Sequence, residues 1–435
     1  MDRIEIGMAG VAITLLLLAV RTPIGVTLGI VAFVGIWILT SLSAAWSIVT
    51  AIPFDFITNW NLSAVPTFLL MGYVASATGL TKGLFASIRM FFGRVPGGLA
   101  SSTVLASAMF ASASGSSVAT AAAFSRIAVP EMLKSKYDPG LATGAVAASG
   151  TLGSLIPPSI LMILFGIFTD TSVGALFLAG VIPGIISAGI YIGMITVRSS
   201  LNPSLAPPHN ETYTRAEKIQ GLKEIWPLPT LIVFVLGGIF VGVFSPTEAG
   251  AVGAFLAMVI AGFRGTLNWP VMKKALVETA EGTSTTFIIA LGAVMFVRFL
   301  GLSTLPEFVA EVLLPVTDSP VYLIAMIAVL YVVLGMFVDP MSLMLLTLPI
   351  VLPLTTSLGI DMVWFGIIVI KLLEIGLITP PVGLCVYVMK TSLGDQVSLS
   401  VMFKGVFWFL AMDVLTLTIL VAFPILSLWL PSLAQ

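Results

Sequence analysis

The chain has 435 residues, of which 58% are hydrophobic and only 9% are charged, whereas a typical soluble domain carries about 25% charged residues. So few charges exclude a soluble protein of this size, because they are too few to cover its surface. The single Cys385 and the single His209 exclude a disulfide framework, a Cys/His metal site and a Ser-His triad, and the net charge of −1 gives no case for nucleic-acid binding.

Apolar segments continue to the end of the chain, so the predicted fold is an all-α polytopic membrane protein. A helix needs about 20 apolar residues to span a bilayer at 1.5 Å per residue. The first segment has no basic n-region and is followed at once by another, which predicts a retained helix and not a signal peptide. In chain order the apolar segments are 4–20, 23–40, 62–79, 101–133, 140–168, 173–197, 228–244, 248–263, 283–300, 320–354, 362–389 and 401–430.

Four of these segments have the wrong length for one upright helix. Segments 101–133 and 320–354 are too short to cross the bilayer twice, so each is predicted to be a re-entrant hairpin. Segments 140–168 and 362–389 are too long, and each is predicted to be a broken helix. Such irregular backbone survives at membrane depth only where protein or water satisfies it.

The distribution of basic residues predicts the orientation. With the N-terminus outside and each hairpin returning to its own side, 15 of the 19 basic residues, Lys82 and Arg94 among them, fall on the cytoplasmic side. The acidic residues that fall outside are Asp170, Glu307, Glu311 and Asp318. The basic exceptions are Arg3, Arg126, Arg298 and Lys371.

The two halves of the chain share landmarks at a constant spacing. Pro353 follows Pro130 by 223 residues, and Pro380-Pro381 follow Pro157-Pro158 by the same 223. The same spacing joins Gly153 to Gly376 and Thr22-Pro23 to Ser245-Pro246. Chance similarity of apolar segments would not keep these residues in register, so the spacing predicts a duplication.

The predicted first repeat is 1–201 and the second is 225–435, each with about five spans and one re-entrant hairpin. Because five is odd, the second copy enters the membrane from the opposite side. Inverted repeats with broken helices are the architecture of secondary transporters, which bind their substrates near the midplane. The polar stretch 202–224 contains Pro207-Pro208 and is predicted to be a cytoplasmic linker.

The first hairpin carries Ser112, Ser114, Ser116 and Ser117 around Gly115, and the broken helix of the same half contains Gly153 to Ser159. Hydroxyl and free carbonyl oxygens suit a hard cation such as sodium. Small residues for close helix packing are an equal alternative for the serine run. At the double proline the helix must break, which frees carbonyls and leaves a half-helix N-terminus after Pro158 that suits a carboxylate.

The second half repeats this design. Its hairpin tip runs from Gly335 to Ser342 and includes Asp339, and its broken helix contains Gly376 to Gly383. An acid at membrane depth is a functional hypothesis by default. Asp339 is therefore a candidate sodium ligand or proton carrier, with the N-cap of the helix that begins at Pro340 as an equal alternative.

The remaining charges have simpler interpretations. Lys371 and Glu374 lie three residues apart on one helix face, which favours a local ion pair over a substrate contact. Arg126 and Arg298 are candidate counter-charges for an anion, although Arg126 has snorkelling to the cytoplasmic surface as an alternative. Glu248 lies at a helix start and is interpreted as structural.

Four stretches together resemble the large membrane subunit of the tripartite ATP-independent periplasmic (TRAP) transporters. They are FASASGSSVATAAAFSRIAVPEM, GTLGSLIPPS, GVFSPTEAGAVGAF and GLITPPVGLCVYVMK, and the resemblance covers essentially the whole chain. It implies a member of the ion-transporter superfamily that takes up a small organic anion, such as a C4-dicarboxylate or a sialic acid, on a sodium gradient. It also implies an elevator mechanism, in which a transport domain of hairpins and broken helices slides along a fixed scaffold domain.

The resemblance further implies two sodium ions and the residues near them. The first site would involve Ser112, Ser114, Ser116, Gly153 and Ile156. The second would involve Gly335, Gly376, Thr379 and Val382, mostly through carbonyl oxygens. The expected substrate vicinity is Ser154, Pro158, Ser159, Asp339, Pro381 and Gly383.

The partners follow from the same resemblance. We expect a small four-helix membrane subunit on a separate chain, a periplasmic substrate-binding protein, and a location in the bacterial inner membrane. The main alternative is a stand-alone sodium/dicarboxylate symporter of the same superfamily, but those proteins usually show Ser-Asn-Thr at the hairpin tips. A membrane enzyme is disfavoured by the lack of catalytic side chains, and a channel by the paired hairpins and breaks, which predict an occluded site.

Overall fold

A computed structural model describes residues 2–80, 83–92, 95–207, 213–313, 315 and 319–434. Within these residues the regular structure is entirely helical, which confirms the all-α prediction. Lys82, Arg94 and Asp318 of the orientation count, together with Pro208 and His209, lie outside the described residues.

The helices of the first half are α1 (Arg3–Ala19), α2 (Ile24–Leu39), α3 (Leu42–Ile57), α4 (Ala64–Ala77), α5 (Leu84–Phe92), α6 (Gly98–Ser114), α7 (Ser117–Lys134), α8 (Pro139–Leu155), α9 (Ile160–Thr169) and α10 (Val173–Leu201). Helix α11 (Arg215–Ile225) lies in the linker. Those of the second half are α12 (Pro227–Phe240), α13 (Pro246–Phe263), α14 (Trp269–Ser303), α15 (Leu305–Leu313), α16 (Pro320–Gly335), α17 (Pro340–Ser357), α18 (Met362–Ile378), α19 (Leu384–Leu393), α20 (Leu399–Ala422) and α21 (Ile425–Leu433).

Several of these helices are long and apolar enough to cross a membrane. In the described part of the chain there are six, or seven if the bent pair α11 and α12 counts as one span. In that count, α8 and α9 together form one 31-residue segment, Pro139–Thr169. The chain is therefore a multi-span membrane protein.

The predicted hairpins and broken helices each consist of two helices. Helices α6 and α7 form the first pair, and α16 and α17 the second. The first broken helix ends at Leu155 and resumes at Ile160, and the second ends at Ile378 and resumes at Leu384. The Pro157–Pro158 and Pro380–Pro381 peptide bonds are both cis.

Helix boundaries recur at the spacing that the landmarks suggested. Adding 223 to the ends of α7, 117 and 134, gives 340 and 357, the ends of α17. The same addition turns 139 and 155 of α8 into 362 and 378 of α18. This agreement supports the duplication that we infer from the sequence.

The apolar segments predicted from the sequence did not include α3. The predicted segment 283–300 corresponds to α14 but begins later than the helix does. Polar residues and Pro53 interrupt the apolar pattern of α3. The first half of α14 was not predicted because it carries four charged residues, Lys273, Lys274, Glu278 and Glu281. With 35 residues, α14 is about 52 Å long at 1.5 Å per residue, so its charged first turns extend beyond the hydrocarbon core.

Two sets of helices pack closely, and α17 also contacts α14 and α15. Helix α14 packs along α2 and α4, α13 packs on α4, and α12 packs on α13. In the other group α6, α7 and α20 surround α8, while α16 and α17 pack against α18. Both broken helices therefore lie inside a shell of other helices, which satisfies their irregular backbone with protein.

The crossing of α8 and α20 depends on glycine. A Cβ atom on Gly405 would overlap the carbonyl oxygen of Gly140, and a Cβ on Gly144 would lie 2.8 Å from the Gly405 backbone. Two glycines four residues apart on α8 therefore let the α20 backbone approach directly, a packing mode common between membrane helices.

We predict that Gly405→Ala destabilises the protein by about 1–3 kcal/mol, because the added methyl group forces the two backbones apart. The measurement is the thermal unfolding midpoint of the purified chain. The matched control is Gly193→Ala in α10, where a Cβ would meet nothing within 4 Å. Equal midpoints for the two variants would contradict the close crossing.

Candidate functional site at two broken helices

The first break frees backbone carbonyls in a buried place. Pro157 and Pro158 have no N–H, so the carbonyls of Gly153 and Ser154 lose the donors that a continuous helix would supply. Ile156 adopts an extended conformation, with φ −84° and ψ 119°. Its N–H still donates to the Leu152 carbonyl at 2.8 Å, so the helix stays regular up to the break.

The tip of the first hairpin lies on this break. Gly115, with φ 61°, ends α6, and Ser116 caps α7 by accepting from the Ala119 N–H at 3.3 Å. A Cβ on Gly153 would lie 2.9 Å from the Ala111 Cβ, so α6 and α8 touch here.

The serine run also makes polar contacts at the break. The Ser117 hydroxyl lies 2.7 Å from the Ser154 hydroxyl and donates to the Thr151 carbonyl at 3.2 Å. The Ser114 hydroxyl lies 3.0 Å from that of Thr120. The structure thus brings Ser114, Ser116 and Gly153 to one place, together with Ser117 of the predicted serine run, and it adds Thr120, which the sequence did not single out.

Two other predicted residues of this half have different surroundings. The Ser112 hydroxyl donates to the Met109 carbonyl at 2.8 Å, within its own helix. Ser159 begins α9 without a side-chain cap, and its buried hydroxyl has no partner among the described residues. Pro158 is buried beside it.

The second break repeats this geometry. Pro380 and Pro381 leave the carbonyls of Gly376 and Leu377 without their usual donors. The Gly376 carbonyl instead accepts from the Thr379 N–H at 3.2 Å, and the Thr379 hydroxyl donates to the Ile375 carbonyl at 2.6 Å. The carbonyl oxygens of Gly376 and Leu377 and the hydroxyl oxygen of Thr379 therefore lie together at the end of α18.

The second hairpin tip touches this break through two glycines. A Cβ on Gly376 would lie 2.9 Å from the Gly335 Cα, so the two backbones are in direct contact. Val382 is half-buried and Pro381 is exposed. Gly383, with φ 56°, is the N-cap of α19, and a Cβ there would lie 3.1 Å from Phe403.

Asp339 is an N-cap in this structure. Its Oδ1 accepts from the Ser342 N–H at 3.0 Å, and Pro340 follows at the first helical position. Glu248 likewise completes a capping box with Ser245, which confirms its structural interpretation. The helix starts thus explain both carboxylates without a ligand.

The predicted ion pair is confirmed, and it belongs to a larger cluster. Lys371 Nζ lies 3.1 Å from Glu374 Oε2 and 2.7 Å from Asp413 Oδ1. The Tyr191 hydroxyl donates to the same Asp413 oxygen. Asp413 was missed, although a lone acid within the apolar segment 401–430 was a signal.

Arg298 lies in the wall of a cavity of about 770 Å³. The cavity lies between α3 and α14 on one side and α9 and α17 on the other, and Asp55 and Asn59 add further polar groups to a mostly apolar lining. Arg126 is exposed on α7.

A multi-span helical protein with two paired hairpins and broken helices belongs to the class of membrane transport proteins. Over residues 11–426 the sequence matches the family described as the tripartite ATP-independent periplasmic transporter, DctM component. The chain belongs to this family, and it is an inner-membrane permease subunit and not an enzyme.

Its similar relatives carry names of the same kind. The sialic acid TRAP transporter large permease protein SiaM of Vibrio cholerae is 32% identical over 382 residues, which cover 87% of each chain. The C4-dicarboxylate TRAP transporter large permease protein DctM of Pseudomonas aeruginosa is 34% identical over 375 residues, 86% of this chain and 87% of that one.

A solved structure has a similar fold. The YdaH transporter of Alcanivorax borkumensis superposes with a TM-score of 0.60 at 16% identity, covering 89% of this chain and 88% of that one. At this identity the similarity concerns the fold alone.

We predict that Asp339→Asn keeps wild-type stability and uptake, because asparagine caps a helix as well as aspartate. Asp339→Ala loses the cap and about 1 kcal/mol of stability. Thermal unfolding and uptake into proteoliposomes measure the two effects. Loss of uptake in Asp339→Asn at unchanged stability would contradict the capping role and favour a proton or cation ligand.

Proposed function

We propose that this chain is the large, moving subunit of a sodium-coupled TRAP transporter for a small organic anion. The observation that carries the proposal is the pair of broken helices, each with carbonyls that have lost their usual helical donors and each touched by a hairpin tip. The family membership supplies the class of protein. Sodium coupling and the elevator movement are our inference from the geometry and the family resemblance.

Sodium fits the chemistry of both breaks. It is a hard cation that takes oxygen ligands, and hydroxyl and carbonyl oxygens are what the breaks offer. At the first break we propose Ser114, Ser116, Gly153 and Ile156, and with them Ser112, whose hydroxyl now bonds within α6. At the second we propose Gly335, Gly376, Thr379 and Val382.

The proposed anion would bind between the two breaks. Half-helices α9 and α19 begin directly after them, and their N-terminal N–H groups favour negative charge. The residues proposed to lie near the substrate are therefore Ser154, Pro158, Ser159, Pro381 and Gly383. Asp339 belongs to the same vicinity as the N-cap at the second hairpin tip. The cavity through which the anion would approach has one positive side chain in its lining, Arg298, and one negative, Asp55.

The names of relatives support the substrate class. One is a sialic acid permease, a second a C4-dicarboxylate permease and a third, from Escherichia coli, a 2,3-diketo-L-gulonate permease. Each of these substrates carries a carboxylate. We propose a carboxylate of this size range for the present chain.

We also propose the elevator movement and the inverted topology. The packing supports them, because the helices around α2, α4 and α14 form one group and those around α8 and α18 another. The 770 Å³ cavity lies between the two groups. In this proposal the hairpins are re-entrant, the N-terminus is periplasmic, and repeats 1–201 and 225–435 have opposite orientations.

The proposed partners complete the transporter. A periplasmic binding protein delivers the anion, and a small membrane subunit widens the scaffold. A relative from Oleidesulfovibrio alaskensis is named DctMQ. The alternative is a stand-alone symporter, which would need neither partner. Uptake by this chain alone would favour that alternative.

We predict that Thr379→Ala raises the half-saturating sodium concentration for uptake several-fold, because it removes a hydroxyl oxygen at the second break. Stability should fall by only about 1 kcal/mol, the usual contribution of one hydrogen bond. Sodium titrations of uptake into proteoliposomes measure the effect.

The control is Thr391→Ala in α19. That hydroxyl also donates to a carbonyl four residues earlier, at 3.0 Å, but it lies outside the break and is exposed. Equal sodium dependence of the two variants would argue against Thr379 as a ligand.

We also predict that a proton gradient alone drives no uptake in sodium-free buffer, because the one carboxylate at a hairpin tip, Asp339, serves as a cap in the described structure. The test compares imposed sodium and proton gradients in the same proteoliposomes. Robust proton-driven uptake would refute sodium coupling.

A further inference from the structure

Three charged side chains form a buried cluster that the proposed sites leave unused. Lys371 contacts Glu374 and Asp413, and all three side chains have no exposed surface. Tyr191 donates to Asp413 and is also fully buried. The cluster joins α18 to α10 and α20.

The cluster has two carboxyl groups for one ammonium group. With both carboxylates ionised, it carries an excess charge of −1 on side chains that have no exposed surface. Asp413 Oδ1 accepts from both Lys371 and Tyr191, whereas Asp413 Oδ2 and Glu374 Oε1 have no partner among the described residues. Buried charge of this kind is costly unless another charge compensates it.

The cluster lies beside the ends of α8 and α18 that precede the two breaks. Glu374 precedes Gly376 by two residues on α18, and its carboxylate also faces the backbone of Leu155 at the end of α8. The Tyr191 hydroxyl faces the side chain of Thr151, one turn earlier on α8. Both ends that carry free carbonyls therefore lie beside the cluster.

The breaks themselves offer only neutral oxygens. Carbonyl and hydroxyl groups at Gly153, Gly376 and Thr379 solvate a cation but do not neutralise it. Asp339 at the second tip is held by the Ser342 N–H as a cap. A cation bound here needs a negative charge nearby, because the dielectric constant inside the protein is low.

We propose that the excess negative charge of the Lys371–Glu374–Asp413 cluster is the fixed counter-charge for a sodium ion bound at the breaks. This inference rests on the proposed sodium coupling, and it names the negative charge that would stabilise the bound sodium ion. Lys371 holds the carboxylates in place and reduces their charge from two units to one. The single remaining charge offsets one of the two proposed sodium ions.

The experiment measures sodium-specific thermal stabilisation of the purified full chain in nanodiscs, with NaCl against KCl at constant ionic strength. Glu374→Gln keeps an acceptor for Lys371 and removes the excess charge. We expect its half-saturating sodium concentration to rise on the order of tenfold, because one unit of attractive charge near the ion is lost. Its unfolding temperature without sodium should not fall.

A merely structural role predicts the opposite pattern, which is lower stability without sodium and an unchanged sodium affinity. The matched control is Asp361→Asn, a carboxylate-to-amide change at the N-cap of the same helix α18, where Asp361 accepts from the Trp364 N–H at 3.0 Å. It should leave the sodium response unchanged.

A double variant keeps the net charge by another route. Lys371→Met alone leaves two buried carboxylates without a cation and is expected to fold poorly. Adding Asp413→Asn restores the net charge to −1, so the double variant should recover folding and sodium stabilisation together. Recovery of folding without a sodium response would overturn the counter-charge role.

The outcomes separate the two proposals. A wild-type chain that responds equally to sodium and potassium would overturn both the sodium coupling and this inference. A wild-type response that Glu374→Gln retains at the same concentration would overturn the inference alone. A response lost in Glu374→Gln and kept in Asp361→Asn supports it.

Discussion

The absence of an N–H group on four proline residues is the constraint on which this structure depends. A membrane helix must satisfy its backbone internally, because the bilayer core offers no water. Pro157, Pro158, Pro380 and Pro381 prevent this at two places, so each helix must end and begin again. The hairpins, the glycine contacts and the shell of helices around α8 and α18 all compensate for those two interruptions.

The compensation requires close approach, and small residues make it possible. Gly376 lies against Gly335 at one break, and Gly153 lies against Ala111 at the other. With larger side chains, the hairpin tips would stand away from the breaks. The free carbonyls would then face lipid or an empty space, which is far less favourable than contact with protein or with a bound ion.

The chain has few charged side chains, and most of them lie at helix ends that face water. The few buried charged side chains therefore need an explanation. Asp339 and Glu248 are explained by the helix starts that they cap. The Lys371–Glu374–Asp413 cluster has no such explanation, since it lies in the interior and has two carboxyl groups for one ammonium group. In our proposal its excess negative charge acts on a cation at the breaks, whose own oxygens are neutral.

The sequence by itself determined the helical class, the two hairpins, the two breaks and the ion pair of Lys371 with Glu374. These features are local: apolar length, the missing N–H of proline and a spacing of three residues act within a few turns of one helix. Only the tertiary structure decided that Asp413 and Tyr191 complete the cluster, that Ser117 reaches Ser154, and that Asp339 is a cap. The first two require helices distant in sequence to pack together, and the last depends on the direction of one side chain. Helix α3 was not predicted from the sequence, because its polar residues interrupt the apolar pattern. Packing against neighbouring helices stabilises it, and that packing is visible only in the tertiary structure.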